Sequence, residues 1–278
     1  MKLTVLVDNN TLIDKNYYGE PGLSFYIEEG QNKILFDVGY SDIFLQNASK
    51  MGLNLHEIDY VVLSHGHLDH TWGLSSLLGM ANYFGPEKKD ITLLAHPAAF
   101  YPKEDDGEQI GMAISPEILR KAFHVQTSKT PYWISDRLVF LGEIERVHHF
   151  ENRKPLGKTK AGEGDGPMID DYLLDDSALA YKTDKGIVII TGCSHSGICN
   201  IVDAAKSICK DDRILDIIGG FHLLNPSEEN LQGTLDFFKK LNPVQLHACH
   251  CTDLKSKIAL ARVANLMEVG VGCEYRYD

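Results

Sequence analysis

The run Leu63-Ser64-His65-Gly66-His67-Leu68-Asp69-His70-Thr71 constrains this chain more than any other stretch. It follows Ile58-Asp59-Tyr60-Val61-Val62, whose β-branched content marks a buried strand, so imidazoles and a carboxylate collect where that strand stops. Imidazole nitrogens and carboxylate oxygens are natural ligands for zinc and its neighbours. In extended backbone His65 and His67 point the same way, because side chains alternate with a period of two. After the turn, Asp69 and His70 face the same place from the other side. One ion is thus offered two imidazoles, and an adjacent ion a carboxylate and an imidazole. Gly66 allows a tight backbone path between the ligands. The expected cofactor is one or two divalent ions, zinc first and manganese, iron or magnesium as alternatives, since availability decides metal identity as much as ligands do. The plainer alternative is a surface histidine-rich turn that takes up metal adventitiously.

Around that run the chain alternates strand and helix signals. Residues 3–7 form a short apolar strand, and residues 24–27 and 33–39 flank a Glu28-Glu29-Gly30-Gln31-Asn32 turn as a hairpin. Residues 43–51 have helical spacing, with Gly52 as the stop. Thr71 is placed as the N-cap of a helix through Leu74, Leu77 and Leu78, and residues 91–95 form a further strand. Between about 100 and 168 the pattern breaks into short strand-like pieces and polar stretches. Residues 151–168, with Lys154, Lys158, Lys160, Gly157, Gly162, Gly164 and Gly166, predict a mobile loop. A second hairpin (179–182 and 186–191), a helix beginning near Ser196, and strands at 214–218 and 244–248 follow. The spacing predicts an α/β fold of two similar layers packed face to face. The expected organisation is a single domain over 1–278 with a variable insertion at about 100–168.

Further candidate ligands stand at strand ends downstream. Gly192-Cys193-Ser194-His195-Ser196-Gly197 joins an apolar strand to a helix, the kind of junction where active-site groups gather in α/β folds, and His195 is read as a ligand. Gly219-Gly220-Phe221-His222-Leu223 ends another strand, with glycines that let backbone approach closely. His250 follows in Leu246-His247-Ala248-Cys249-His250-Cys251-Thr252. Any one of these histidines alone would serve equally well in a core or behind a ligand, but together they favour a site. His124, His148, His149 and His247 lack that setting. The six cysteines, in a long chain without a secretion signal, are expected to be reduced thiols.

Charge and hydropathy narrow the partners. A formal net charge of -12 argues against a nucleic-acid surface, yet admits an acidic substrate if a bound metal supplies local positive charge. No apolar run approaches the ~20 residues of a membrane span. Residues 3–7 are too short for the apolar segment of a signal peptide before Asp8. A cytoplasmic protein that meets neither nucleic acid nor membrane is expected; a homo-oligomer is left open.

The full pattern His-x-His-x-Asp-His resembles the signature of the metallo-β-lactamase superfamily. Ile34-Leu35-Phe36-Asp37-Val38-Gly39 resembles its second strand, whose aspartate supports the metal site from behind. The resemblance implies an αβ/βα four-layer sandwich. Asp175-Asp176-Ser177-Ala178-Leu179, Thr191-Gly192-Cys193-Ser194-His195-Ser196-Gly197, Ile217-Ile218-Gly219-Gly220-Phe221-His222-Leu223 and His250-Cys251-Thr252 narrow it. They resemble the branch that includes 7,8-dihydropterin-6-methyl-4-(β-D-ribofuranosyl)aminobenzene-5′-phosphate synthase. That family joins a dihydropterin methyl diphosphate to an aminobenzene ribofuranosyl phosphate and releases diphosphate, a step toward methanopterin. Two positions depart from its pattern: Asp253 stands where a glycine is usual, and Ser177 where a glutamine is usual.

These readings together assign His65, His67, Asp69, His70, His195 and His250 to metal, with Asp37 and Cys193 supporting them. Asp69 would also orient or deprotonate a water, and His222 would donate a proton to a leaving oxygen or grip a phosphate. Arg153, Lys154, Lys158 and Lys160 would close over the phosphates of a phosphorylated or pterin-like substrate. Tyr17, Tyr18, Trp72 and Phe221 are candidates to stack on a pterin, each with a core role as the simpler alternative. Two other functions compete. A hydrolase would use water on a phosphoester, lactone or thioester. A redox or non-catalytic metal protein would use Cys193, Cys199, Cys249 and Cys251, though their spacing does not match ferredoxin patterns.

Overall fold

The computed structural model describes residues 1–82, 90–151, 154–162 and 166–278. In chain order the elements are β1 (Lys2–Val7), β2 (Ser24–Glu29), β3 (Asn32–Phe36), α1 (Ile43–Lys50), β4 (Tyr60–Val62), α2 (Leu68–Thr71), α3 (Leu74–Asn82), β5 (Thr92–Ala95), β6 (Lys103–Asp105) and β7 (Glu108–Gln109). They continue with α4 (Pro116–Ala122), β8 (His124–Thr127), β9 (Tyr132–Trp133), β10 (Leu138–Phe140), β11 (Lys158–Lys160), β12 (Met168–Asp170), β13 (Ala178–Thr183) and β14 (Gly186–Thr191). The last are α5 (Ile198–Cys209), β15 (Ile214–Gly220), α6 (Glu228–Leu241), β16 (Gln245–Cys249), α7 (Leu254–Leu260) and β17 (Glu274–Arg276). No helix among the described residues is long and apolar enough to cross a membrane. The chain forms two compact units, one of Met1–Ser128, Pro155–Asp171 and Gly270–Arg276, the other of Lys129–Lys154, Tyr172–Val269 and Tyr277–Asp278.

The first unit is built on a sheet of order β17-β1-β2-β3-β4-β5-β8. The β2–β3 hairpin is antiparallel, whereas β3, β4, β5 and β8 pair in parallel. Parallel neighbours require crossovers, and α1, α3 and α4 supply them. Leu35, Val61 and Leu93 on these strands are fully buried and pack with Phe44, Leu74, Leu77 and Leu119 from the helices. Strands so covered are expected to be almost wholly apolar until they end. Polar residues begin at the carboxyl ends of β3 and β4, where Asp37 and then Ser64 and His65 follow. That edge is where α/β sheets place their chemistry.

Two expectations are corrected in this unit. Thr71 does not cap a helix; it closes α2, whose N-cap is His67, and its hydroxyl donates to the His67 carbonyl at 2.9 Å. A separate short helix, α2, thus sits directly on the ligand run, and the helix through Leu74, Leu77 and Leu78 is α3, which starts at Leu74. The tract expected to be a loop instead carries β11 and β12, which pair with each other and with β6 in a sheet of order β12-β11-β6-β7. Its anchor is a buried ion pair with Lys103 Nζ 2.6 Å from Asp171 Oδ2, linking β6 to the residue after β12.

The second unit carries a sheet of order β16-β15-β14-β13-β10-β9. The β13–β14 hairpin is antiparallel, and β14, β15 and β16 run in parallel with α5 and α6 as crossovers. Helix α5 turns Ile198, Ile201, Val202 and Ala205 into the core, the spacing of one helical face. It starts at Ile198 rather than Ser196, and its first turn is closed by a distant carboxylate. Glu151 accepts from the Cys199 and Asn200 amides at 2.7 and 2.9 Å, satisfying donors that a helix leaves open at its N-terminus. Burial raises the Glu151 pKa above the usual carboxylate range, and these two amides partly oppose the rise.

Candidate metal centre

In the first unit the ligand run is organised by one buried carboxylate. Asp37 follows β3 in a left-handed backbone conformation, φ 55°, and is fully buried. Its Oδ1 accepts from the Ser64 amide at 2.7 Å, its Oδ2 accepts from the Ser64 hydroxyl at 2.7 Å, and His70 Nδ1 lies 2.7 Å from Oδ2. An ionised carboxylate only accepts, so His70 Nδ1 carries its proton and Nε2 keeps a lone pair. Ser64 spends its only proton on Asp37; its oxygen therefore accepts from His65 Nδ1, 2.9 Å away, and His65 Nε2 also keeps a lone pair. Carboxylates and hydroxyls behind an imidazole fix metal-binding tautomers in this way.

The imidazoles are packed closely. The His65 ring centroid lies 4.7 Å from that of His67 and 4.3 Å from that of His70, and His70 Nε2 is 3.5 Å from Asp69 Oδ2. Burial, with help from His70 and His67, holds the His65 pKa well below its usual value. For His70 burial pulls the same way, but the Asp69 and Asp37 carboxylates outweigh it and drive the pKa well above the usual value. The carboxylates that hold a proton on His70 would equally hold a cation in its place. With that proton displaced, imidazole Nε2 atoms beside a carboxylate are the donor set a divalent cation requires, so the residues fit the group. Gly66 is required by its neighbours: a Cβ there would collide with the Ala99 carbonyl.

In the second unit three strand ends converge. The Ser194 hydroxyl after β14 and the Thr191 hydroxyl at its end donate to the Gly220 carbonyl at 2.6 and 3.0 Å. The Phe221 amide donates to Thr252 Oγ1 at 3.1 Å, and the His222 amide to Cys251 Sγ at 3.2 Å. Cys251 Sγ in turn donates to the Cys193 carbonyl at 3.3 Å, while His250 Nε2 sits 3.1 Å from Cys193 Sγ. The His195 and His222 rings are 4.2 Å apart. Ser194, His222 and His250 all have φ near +50 to +63°, a region that costs non-glycine residues of order 1 kcal/mol or more. Strained backbone of this kind clusters at functional sites. The Cys251 thiol is opposed by burial but is lowered well below its usual pKa, chiefly by contacts with Cys193 and His222.

Some contributing residues escaped the sequence reading. Ser64 couples Asp37 to His65, and only its place just before the first histidine hinted at it. Asp176 fixes the segment after His195: its Oδ2 accepts from the Ser196 amide at 2.8 Å and from the Ser196 hydroxyl. Asp176 Oδ1 is buried without a hydrogen-bond partner among the described residues, and burial lifts the pKa from 3.8 to about 6. A raised carboxyl pKa means that the native state holds the proton more tightly than the unfolded chain. Stability is therefore expected to fall as pH rises from about 4 to about 6, by roughly 3 kcal/mol from this group. Denaturant titrations of chelator-treated protein should show that fall relative to Asp176→Asn; parallel curves across this window would refute it.

The lysine candidates are exposed or half-buried, and Phe221, Trp72, His247 and Asp253 have plain structural roles. Lys158 and Lys160 lie on β11 of the first unit, the former exposed and the latter half-buried, and Lys154 is an exposed residue of the second unit. Arg153 lies outside the described residues. Phe221 stacks on Phe238 in the core, and Trp72 donates from Nε1 to the Gly111 carbonyl at 2.9 Å. His247 is held by Asp216 at 2.8 Å, with Tyr277 donating to the same carboxylate at 2.6 Å. Asp253 caps α7 by accepting from the Ser256 amide at 2.7 Å and also accepts from the Asn225 amide at 2.8 Å, which gives that departure from the family pattern a local purpose.

Comparison with known proteins agrees with this architecture. The chain is 30% identical to the 7,8-dihydropterin-6-methyl-4-(β-D-ribofuranosyl)-aminobenzene-5′-phosphate synthase of Methanocaldococcus jannaschii, with 92% of this chain and 89% of the relative covered. An uncharacterized protein of the same organism is 31% identical, with 97% and 98% covered. Among solved structures, Tm1679, described as a metal-dependent hydrolase of the β-lactamase superfamily, superposes with a TM-score of 0.83 at 27% identity, covering 100% of this chain and 99% of that one. The family model for the metallo-β-lactamase superfamily matches residues 17–206, from before β2 into α5. By that match, and by relatives that span nearly its whole length, the chain belongs to the metallo-β-lactamase superfamily.

Proposed function

We propose that this protein is a metal-dependent enzyme that joins a dihydropterin methyl diphosphate to an aryl amine ribofuranosyl phosphate with release of diphosphate. The observation that carries the metal dependence is the Asp37–Ser64 hub, which sets His65 and His70 as Nε2 donors. The substrate assignment is supported by the 30% identity to the synthase over most of both chains. His65, His67, Asp69, His70, His195 and His250 hold one or two divalent ions, with zinc the first choice for an imidazole-rich set. When bound, such ions supply Lewis-acid polarisation of phosphoryl oxygens. Asp69 keeps a carboxylate beside His70 that accepts a proton from the attacking amine. His222, half-buried after β15, donates a proton to the departing diphosphate or grips it.

Lys158 and Lys160 project from the same side of β11, because alternate residues of a strand share a face. They are proposed to hold substrate phosphates, together with Arg153 and Lys154. Lys158→Ala combined with Lys160→Ala is expected to raise KM for a phosphorylated substrate about tenfold with kcat little changed, as lost charge-assisted contacts would. An unchanged KM would remove β11 from the mechanism.

A hydrolase is the second reading, supported by the likeness to Tm1679. It keeps the same residues and substitutes water for the amine. Chelation should abolish turnover in either case and metal should restore it. The two readings separate on whether diphosphate release depends on the amine.

A further inference from the structure

Cys193 was expected to stand behind the ligands. We infer that it is itself a ligand, its thiolate binding together with His250 one of the divalent ions. The inference rests on the metal-binding reading above and deepens it by adding sulfur to a set of nitrogen and oxygen donors.

Both residues belong to the second unit and are buried, and Cys193 Sγ lies 3.1 Å from His250 Nε2. Two donors on a tetrahedral zinc, with sulfur at about 2.3 Å and nitrogen at about 2.0–2.1 Å, stand about 3.5 Å apart. The pair therefore needs to open by only a few tenths of an ångström to admit an ion. The backbone is arranged for that approach. A Cβ on Gly220 would fall 2.5 Å from Cys251 Sγ, 2.6 Å from the Gly192 carbonyl and 3.2 Å from His250 Cδ2, so only glycine lets the end of β15 lie against both loops. His250 is also held at φ 51°, which turns its ring from the end of β16 toward Cys193.

The other thiols have different employment. Cys251 accepts from the His222 amide and donates to the Cys193 carbonyl, two backbone ties that make it a clamp between loops. Cys199 lies in the core on the first turn of α5, and Cys249 is fully buried on β16. Among the described residues, Cys193 is the thiol set against the Nε2 of His250. On coordination the cation replaces the thiol hydrogen, a sulfur–metal bond forms, and the released proton passes to solvent. A thiolate favours zinc over magnesium at this position.

Cobalt(II)-loaded full-length protein tests this by absorption spectroscopy. Wild type is expected to show visible cobalt bands together with a near-ultraviolet sulfur-to-cobalt charge-transfer band. Cys193→Ser should lose the charge-transfer band while keeping visible bands, with affinity for that ion down at least about tenfold; Cys251→Ser should keep it. Cobalt bound without a sulfur band in wild type, or a band lost in Cys251→Ser and kept in Cys193→Ser, overturns the inference and leaves the metal reading intact. No uptake of cobalt or zinc overturns both. Should Cys193→Ser fail to fold, X-ray absorption of zinc-loaded wild type decides. A sulfur shell at about 2.3 Å supports the inference, and a shell of nitrogen and oxygen alone refutes it.

Discussion

His67→Ala and Asp69→Ala are each expected to lower turnover by more than about a hundredfold, because loss of a ligand must exceed the 10–100-fold typical of losing a group behind one. Bound metal should fall in parallel. The two residues act differently. His67 is a buried imidazole at the N-cap of α2 and offers only a donor nitrogen. Asp69, less buried, brings negative charge 3.5 Å from His70 Nε2, so its removal also takes away charge that a cation would neutralise. Excess metal is therefore expected to rescue His67→Ala partly and Asp69→Ala hardly at all, because Asp69 has a second duty toward the substrate proton. Metal analysis and steady-state turnover on the same preparations check this. Wild-type turnover in His67→Ala would sink the metal site.

Asp37 gives the other large effect, and it acts without touching the reaction. Asp37→Asn keeps the shape but places an amide donor against the donors of Ser64 and His70. His70 must then move its proton to Nε2, the atom needed for metal. Metal affinity is expected to fall 10- to 100-fold. Asp37→Ala additionally strips the Ser64 amide, the Ser64 hydroxyl and His70 Nδ1 of their shared acceptor. Leaving such buried donors unsatisfied costs about 1–3 kcal/mol each, so the apo-protein should lose several kcal/mol. Metal titration followed by denaturant unfolding of the apo forms separates the two effects. Unchanged metal affinity in Asp37→Asn would refute the tautomer argument.

The parts of the site legible in the sequence are those whose spacing is local. His65, His67, Asp69 and His70 lie within one turn after a buried strand, and their donor chemistry can be read without a partner in view. Asp37 was found through its resemblance to a known strand, while its bonds to Ser64 and His70 span long sequence separations that no local pattern reports. The same limit hid Glu151, whose carboxylate closes α5 across a separation of 48 residues. It also hid the Lys103–Asp171 pair, which turns a glycine-rich tract into strands. Thr71 misled because a threonine before an apolar helix reads as a cap, whereas here its hydroxyl bonds backward to the His67 carbonyl. Hydrophobic periodicity marked both hairpins and the β14–α5–β15 crossover, but α4, α6, α7 and β17 escaped it.

The proposed reaction is tested most directly by product analysis of the zinc-reconstituted protein given the dihydropterin methyl diphosphate with and without the aryl amine ribofuranosyl phosphate. The account predicts diphosphate release only when both substrates are present, in step with one joined product, and loss of both signals after chelation. Full metal occupancy with no joined product would contradict it, and diphosphate released equally without the amine would make the protein a hydrolase.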